Sequence, residues 1–256
     1  MQIRIFVSAS MALLMTAAGS TAVHAQAVSG QGTWETTLLG RDVNLNAVVA
    51  TSVDAVYLYD TTLNVTWLRN ANVAGQMDWN TANTWATNLV TGSGAAAISD
   101  WRLPSMTDPN AVFSWSNGGT TGGYNVPANS SEMASLFFNT LGNRSHVDTN
   151  GVPQTGWGLT NTGSFQNLQN FAYWLGTEGL WGSAWNFYTS DGIQDYFAKP
   201  NQLDAMAVRN GDVGSPVSPV PEPETYAMLL AGLGLLGTVT RRRRSIGTSG
   251  DTPCQS

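Results

Sequence analysis

Cysteine is almost missing from this 256-residue chain: the only one, Cys254, sits beside the C-terminus. A lone cysteine closes no intrachain disulfide, so stability has to come from burial. Lysine is as scarce, with Lys199 alone, and only 11% of the residues are charged. Between positions 26 and 220, six basic side chains (Arg41, Arg69, Arg102, Arg144, Lys199, Arg209) face fourteen carboxylates, a net charge of −8. That balance offers no footprint for nucleic acid and no attraction to anionic lipid. His146 is the only histidine in the same stretch, and without cysteine a zinc site lacks its usual ligands. Ser145 and Asp148 flank it, but adjacency does not make a triad, and no nucleophile elbow is present. Gly118-Gly119 and Gly122-Gly123 lead into no Gly-Lys-Ser/Thr, so they form no phosphate loop. No cofactor and no metal is implied. The longest apolar run outside the N-terminus, 226–239, falls short of the roughly 20 residues that span a bilayer.

What is present is concentrated at the two ends and in the aromatics. Arg4, an apolar stretch over 5–18 and Val23-His24-Ala25 make the three regions of a signal peptide, cut after Ala25. At the other end Pro221-Glu222-Pro223 breaks regular structure, the short apolar run follows, and Arg241-Arg242-Arg243-Arg244 stops it. This C-terminal order resembles the PEP-CTERM signal of bacterial exosortase substrates. The resemblance implies export through Sec-type machinery, transient anchoring in the inner membrane by a C-terminal hydrophobic helix, and an exosortase that cuts near 221–223. An ordinary C-terminal anchor is the alternative. The expected organisation is a signal peptide at 1–25, an N-terminal lead-in at 26–52, disordered over 26–32 and without a clear period over 33–50, and a domain at 53–213. A Pro/Ser/Val linker at 214–220, the sorting signal at 221–244 and a polar tail at 245–256 complete it.

Ten tryptophans supply large apolar area to the domain. Runs of β-formers at 56–60 and 64–68, around Thr61-Thr62, predict paired strands. Ala82, Trp85, Ala86 and Leu89 repeat at helical spacing behind Asp78, which predicts a capped helix over 78–90. Asn129-Ser130-Ser131-Glu132 resembles a capping box opening a second helix that Gly142 closes. Runs at 171–175, 184–188, 195–198 and 205–209 predict four more strands, with a hairpin at Ser190-Asp191-Gly192. Two helices among short antiparallel strands and long loops make an α+β domain.

Several of these segments resemble one family. Thr66-Trp67-Leu68-Arg69, Trp101-Arg102-Leu103-Pro104 after Asp100, Tyr173-Trp174 and Ala207-Val208-Arg209 are similar to the Lcl C-terminal-domain family. The resemblance implies a C-type-lectin-like fold and adhesion to polysaccharide. Lys199-Pro200-Asn201 and Trp185-Asn186-Phe187 only echo the calcium-binding sequences of such lectins, so the oxygen cage is incomplete.

The sequence therefore points to a non-catalytic surface or matrix protein that holds neutral polysaccharide, or to a structural envelope or biofilm protein without ligand. Trp115 and Trp181, each in a polar, glycine-bearing loop, are the candidate stacking residues. Arg102, set between Trp101 and Leu103, should find a carboxylate or backbone carbonyls and tie a loop; gripping a ligand is the alternative. Glycoside hydrolysis would need a carboxylate pair, and Glu178 with Asp191 or Asp195 is the pairing to test.

Overall fold

The computed structural model describes residues 25–108 and 115–214. Val23 and the whole sorting signal, with the C-terminal hydrophobic helix expected there, lie outside them. Among the described residues no helix is long and apolar enough to cross a membrane.

The architecture is α+β, mostly strand. One turn of helix, α1 (Trp34–Thr37), leads into β1 (Leu38–Arg41) and β2 (Ala47–Val48), followed by β3 (Tyr57–Asp60) and β4 (Val65–Leu68). The β3–β4 hairpin is the one expected from alternating β-formers. Asp60 accepts hydrogen bonds from the Thr62 and Leu63 amides, and Asn64 takes a positive φ of 53° to complete the turn. Then come β5 (Gln76–Met77), α2 (Trp79–Asn88), a long loop and α3, which begins α-helical at Glu132–Ala134 and continues as a π-helix over Ser135–Thr140. The last part holds β6 (Ala172–Glu178), β7 (Ser183–Tyr188), β8 (Gln194–Ala198), β9 (Leu203–Asp204) and β10 (Val208–Asn210). They form two five-stranded sheets, ordered β10-β4-β3-β1-β2 and β5-β9-β6-β7-β8.

Three expectations are corrected. The stretch 26–32 is not disordered: the Gln31 side chain donates to Gly142 O and Thr160 Oγ1, and just beyond it Thr33 N donates to Thr140 O. Further along the lead-in, β1 and β2 extend the first sheet through β3. The polar partners are more than a hundred residues away, so no local pattern announces them. The strand expected over 205–209 is reduced to its last two residues, Val208 and Arg209 in β10; β9 ends before it at Asp204 in the other sheet, and the buried Ala205, Met206 and Ala207 carry the chain from one sheet to the other. The second helix is capped by Ser131, whose hydroxyl accepts from Ala134 N, and not by Asn129. Glu132 thereby becomes the first helical residue, and its carboxylate leaves the helix for Arg102. The first helix follows its sequence, with Asp78 accepting from the Asn80 and Thr81 amides.

The main core joins the two sheets. Leu58 and Trp67 from the first meet Tyr173 and Phe187 from the second, and α3 fills between them with Met133 and Phe137. The opposite face of the second sheet is covered by α2, where Trp79, Ala82 and Ala86 pack on Ala172 and Trp174. Strand β6 is thus buried on both sides, which is why Ala172-Tyr173-Trp174-Leu175 reads as an unbroken apolar run.

One buried group sets a pH response. Asp204 on β9 is 1% exposed, its Oδ2 meets no hydrogen-bond donor, and burial pushes its carboxyl up to about 6. The folded state then holds a proton that the unfolded chain releases near 3.8, so stability contributed by that proton is present in acid and lost as pH rises through about 6. Burial pushes Asp60, Asp191 and Asp195 in the same direction. Asp204→Asn should therefore raise stability at pH 7.5 by roughly 3 kcal/mol and change it little at pH 4. Urea unfolding at both pH values checks this, and an equal effect at the two would refute it.

Candidate functional site

The two tryptophans singled out from the sequence are both open to solvent, Trp115 at 54% and Trp181 at 88% exposure, but they lie at opposite ends of β7. Trp181 is in the β6–β7 turn. Trp115 belongs to a cluster at the β7–β8 turn, where His146 N donates to Asp191 O. The six residues of β7 put about 20 Å between those ends. The structure thus makes two separate features from the pair.

The cluster at the β7–β8 turn is a strip of four rings. Trp115 lies 6.0 Å from Tyr124, Tyr124 lies 6.3 Å from His146, and His146 lies 4.4 Å from Trp157, centroid to centroid. Two loops present it. The first is folded on itself by Tyr124 N to Ser116 O and Gly119 N to Tyr124 O. Asn125, at a φ of 49°, pins it to the second by donating from Nδ2 to Asn117 O and Val147 O. The second loop is hairpin-like, with Arg144 opposite Gly158 and Val147 opposite Pro153, which sets His146 beside Trp157. Gln194, wholly buried at the start of β8, holds the first loop to the sheet through Thr121 O, Ser130 and Ser131. A buried polar network of this kind is rigid when each member is satisfied.

Trp157, 44% exposed, is the member that sequence reasoning missed. Its signal was present: Gly156 and Gly158 flank it, much as glycines flank Trp181.

The strip carries one hydroxyl, that of Tyr124. Burial and then the nearby Asp191 raise it, so the phenol stays protonated at neutral pH and can donate. Burial raises Asp191, partly offset by the Ile193 amide and then by His146. The concavities of about 350 Å³ beside Trp34 and Leu39 and about 230 Å³ beside Thr107 and Asn129 are lined by other residues. The strip is an open surface, suited to a chain passing over it.

The other sequence candidates have different fates. Arg102 is a tie: its guanidinium forks onto Glu132 at 2.7 Å on both oxygens and donates to Asn210 Oδ1 and Leu103 O. Trp101 and Leu103 on either side are buried, and Pro104 O accepts from Gly176 N across to β6. Ser145, His146 and Asp148 make no triad. The Ser145 hydroxyl is buried against Gly192 O, and Asp148 caps a turn at Asn150 and Val152. Glu178 sits at the Trp181 end of β6, paired with Lys199 at 2.9 Å, whereas Asp191 lies at the other end of β7. Asp195 is opposite Asn186 on β8, two strands across from Glu178 and further along, so neither acid joins Glu178 in a carboxylate pair. Of the residues that echoed a calcium loop, Lys199 also lies over Trp79, Asn201 donates to Ala198 O, and Asn186 is wholly buried with neither side-chain polar atom hydrogen-bonded. Among the described residues no group of three His, Cys, Asp or Glu side chains could hold a metal ion.

Comparison with curated proteins and with solved structures returned no match for the chain. A family model does match at the C-terminus: residues 219–244 fit the PEP-CTERM protein-sorting motif. The motif implies export, an exosortase as processing partner, and a C-terminus anchored in the membrane before processing.

Proposed function

We propose that this is a non-catalytic polysaccharide-binding protein of the cell surface or extracellular matrix, delivered by the exosortase route, which holds a neutral glycan chain on the strip formed by Trp115, Tyr124, His146 and Trp157. The observation that carries the reading is the unbroken succession of ring contacts at 6.0, 6.3 and 4.4 Å on an open surface. Aromatic faces pack against the apolar faces of sugar rings, and the Tyr124 phenol among them can donate to a sugar hydroxyl. Stacked nucleobases would use the same geometry, but the net charge of −8 over residues 26–220 opposes a phosphate backbone. Successive rings are inclined at 65°, 67° and 48°, so the strip offers no flat platform. It suits an isolated soluble chain better than a crystalline polysaccharide face. The C-type-lectin-like, Lcl-related reading of the fold rests on the sequence segments that carry the resemblance, and would not fix the ligand.

Electrophoresis through native gels containing the producing cell's own exopolysaccharide tests the proposal. The protein should be retarded, and Trp115→Ala and Trp157→Ala should each weaken binding at least about tenfold, equivalent to about 1.4 kcal/mol. Trp181→Ala should leave it unchanged. No retardation in that gel or across a panel of neutral polysaccharides would remove the reading.

A further inference from the structure

The β6–β7 turn is left out of the strip, and it has an unusual surface. Leu180 and Trp181 project side by side at 59% and 88% exposure. Trp181 holds a φ of 52°, a left-handed conformation that bulky residues rarely adopt. The turn nonetheless fixes it there: Gly179 N donates to Ser183 O, Ser183 N to Leu180 O, and Lys199 N to Gly182 O. The polar side chains beside the tip are engaged: the Ser183 hydroxyl donates to Leu180 O, and Glu178 is neutralised by Lys199 at 2.9 Å. The side chains at the tip itself are an apolar pair whose one polar group is the indole N–H. Sugar hydroxyls would find few partners on such a tip. The headgroup region of a bilayer suits it, because there an indole ring sits in apolar surroundings with its N–H in contact with water.

The chain outside the described residues brings such a surface close. The PEP-CTERM match places the C-terminus in a membrane before processing. Only eleven residues, 215–225, separate Gly214 from the apolar run. Eleven residues span at most about 40 Å even when fully extended. A domain of about 190 residues has a radius of gyration of about 16 Å, so its faces lie within that reach. Short tethers of this kind give effective concentrations in the millimolar range, at which a weak apolar contact becomes occupied.

We infer that the Leu180–Trp181 tip is a membrane-docking element, which seats the domain on the zwitterionic headgroup interface while the C-terminal tail is uncut and releases it once tethering ends. The inference rests on the sorting motif and on the tip, and is independent of polysaccharide binding at the strip.

All ten tryptophans lie at or before position 185, and none is in the tail, so lipid quenching of tryptophan fluorescence reads the domain alone. The full-length chain, anchored by its tail in phosphatidylcholine vesicles with brominated acyl chains, should show a quenched emission component. Trp181→Ala should abolish most of that quenching, Leu180→Ser should reduce it, and Trp115→Ala should leave it intact. Because Trp181 is exposed, its replacement should leave the melting temperature unchanged, which separates docking from misfolding. Absence of quenching in the wild type, or equal quenching in Trp181→Ala, would overturn the inference. So would Trp181-dependent self-association in place of quenching, which would make the tip a contact between copies of this chain.

Discussion

Trp101→Ala should lower unfolding stability by about 3–5 kcal/mol, the largest loss expected from any single truncation in the Trp-Arg-Leu-Pro segment. The ring is 1% exposed and stacks on Tyr57 at 5.9 Å and 27°. It belongs to a cluster with Leu68, Ile98, Ala207 and Val213, so it fastens the end of the domain, near β10, to the first sheet. Removing it leaves a cavity that β3 and β4 cannot close without breaking their register. The indole N–H has no hydrogen-bond partner, so removing it forfeits no hydrogen bond and offsets a part of the cavity cost. For the same reason Trp101→Phe, which keeps most of the apolar contact, should cost much less than the alanine variant. Urea unfolding of both variants checks this; a change near zero for alanine would show that the ring does not support the core.

Arg102→Met should cost about 3 kcal/mol, the lower end of the range for breaking a buried ion pair, since Arg102 keeps 31% of its side chain exposed. The damage falls on Glu132, whose side chain is only 6% exposed. Without the guanidinium its carboxylate keeps only the Ser105 amide and hydroxyl as partners. The deficit is an uncompensated charge, so replacing both residues with apolar ones, Arg102→Met with Glu132→Leu, should recover much of the loss. A double-mutant cycle by denaturant unfolding measures the coupling. If Arg102→Met is tolerated within the error of the cycle, the arginine is not a tie and becomes available for a ligand.

These two residues also show what the sequence makes legible. Trp101 and Arg102 could be read in place because alternation beside a proline predicts one ring inward and one guanidinium seeking an acid. The acid itself could not be named. Glu132 carries a helix-start signal in its own right, and only Ser131's taking the cap frees it for a residue 30 positions away. The β3–β4 hairpin and α2 were legible because their signals are local: a turn between β-formers, and a cap before a helical repeat. Residues 26–52 were not, since Leu38-Leu39-Gly40-Arg41 has no period and takes its order from β3, while Val28 and Gln31 take theirs from distant polar partners such as Asn161. The crossing at Ala205-Met206-Ala207 reads as a continuous strand because burial between two sheets erases the alternation that would mark its break.

The candidate site divides in the same way. Exposure of Trp115 and Trp181 follows from their glycine-bearing, polar surroundings. Which aromatics share a surface does not, because the pairing of Arg144 with Gly158, and of Gly123 with Gln194, is a property of the folded loops. Proximity therefore moved the reading from two isolated tryptophans to a four-ring strip, and left Trp181 to a different partner.

Both proposed roles require that the domain leave the cytoplasm, so the processed ends of the native protein test the whole account most directly. Intact-mass measurement on protein taken from the surface or medium of the producing cells should find a chain that begins at Gln26 and ends near Pro221-Glu222-Pro223. Recovery of the uncut chain, Met1 through Ser256, from the cytosol as its final form would contradict it.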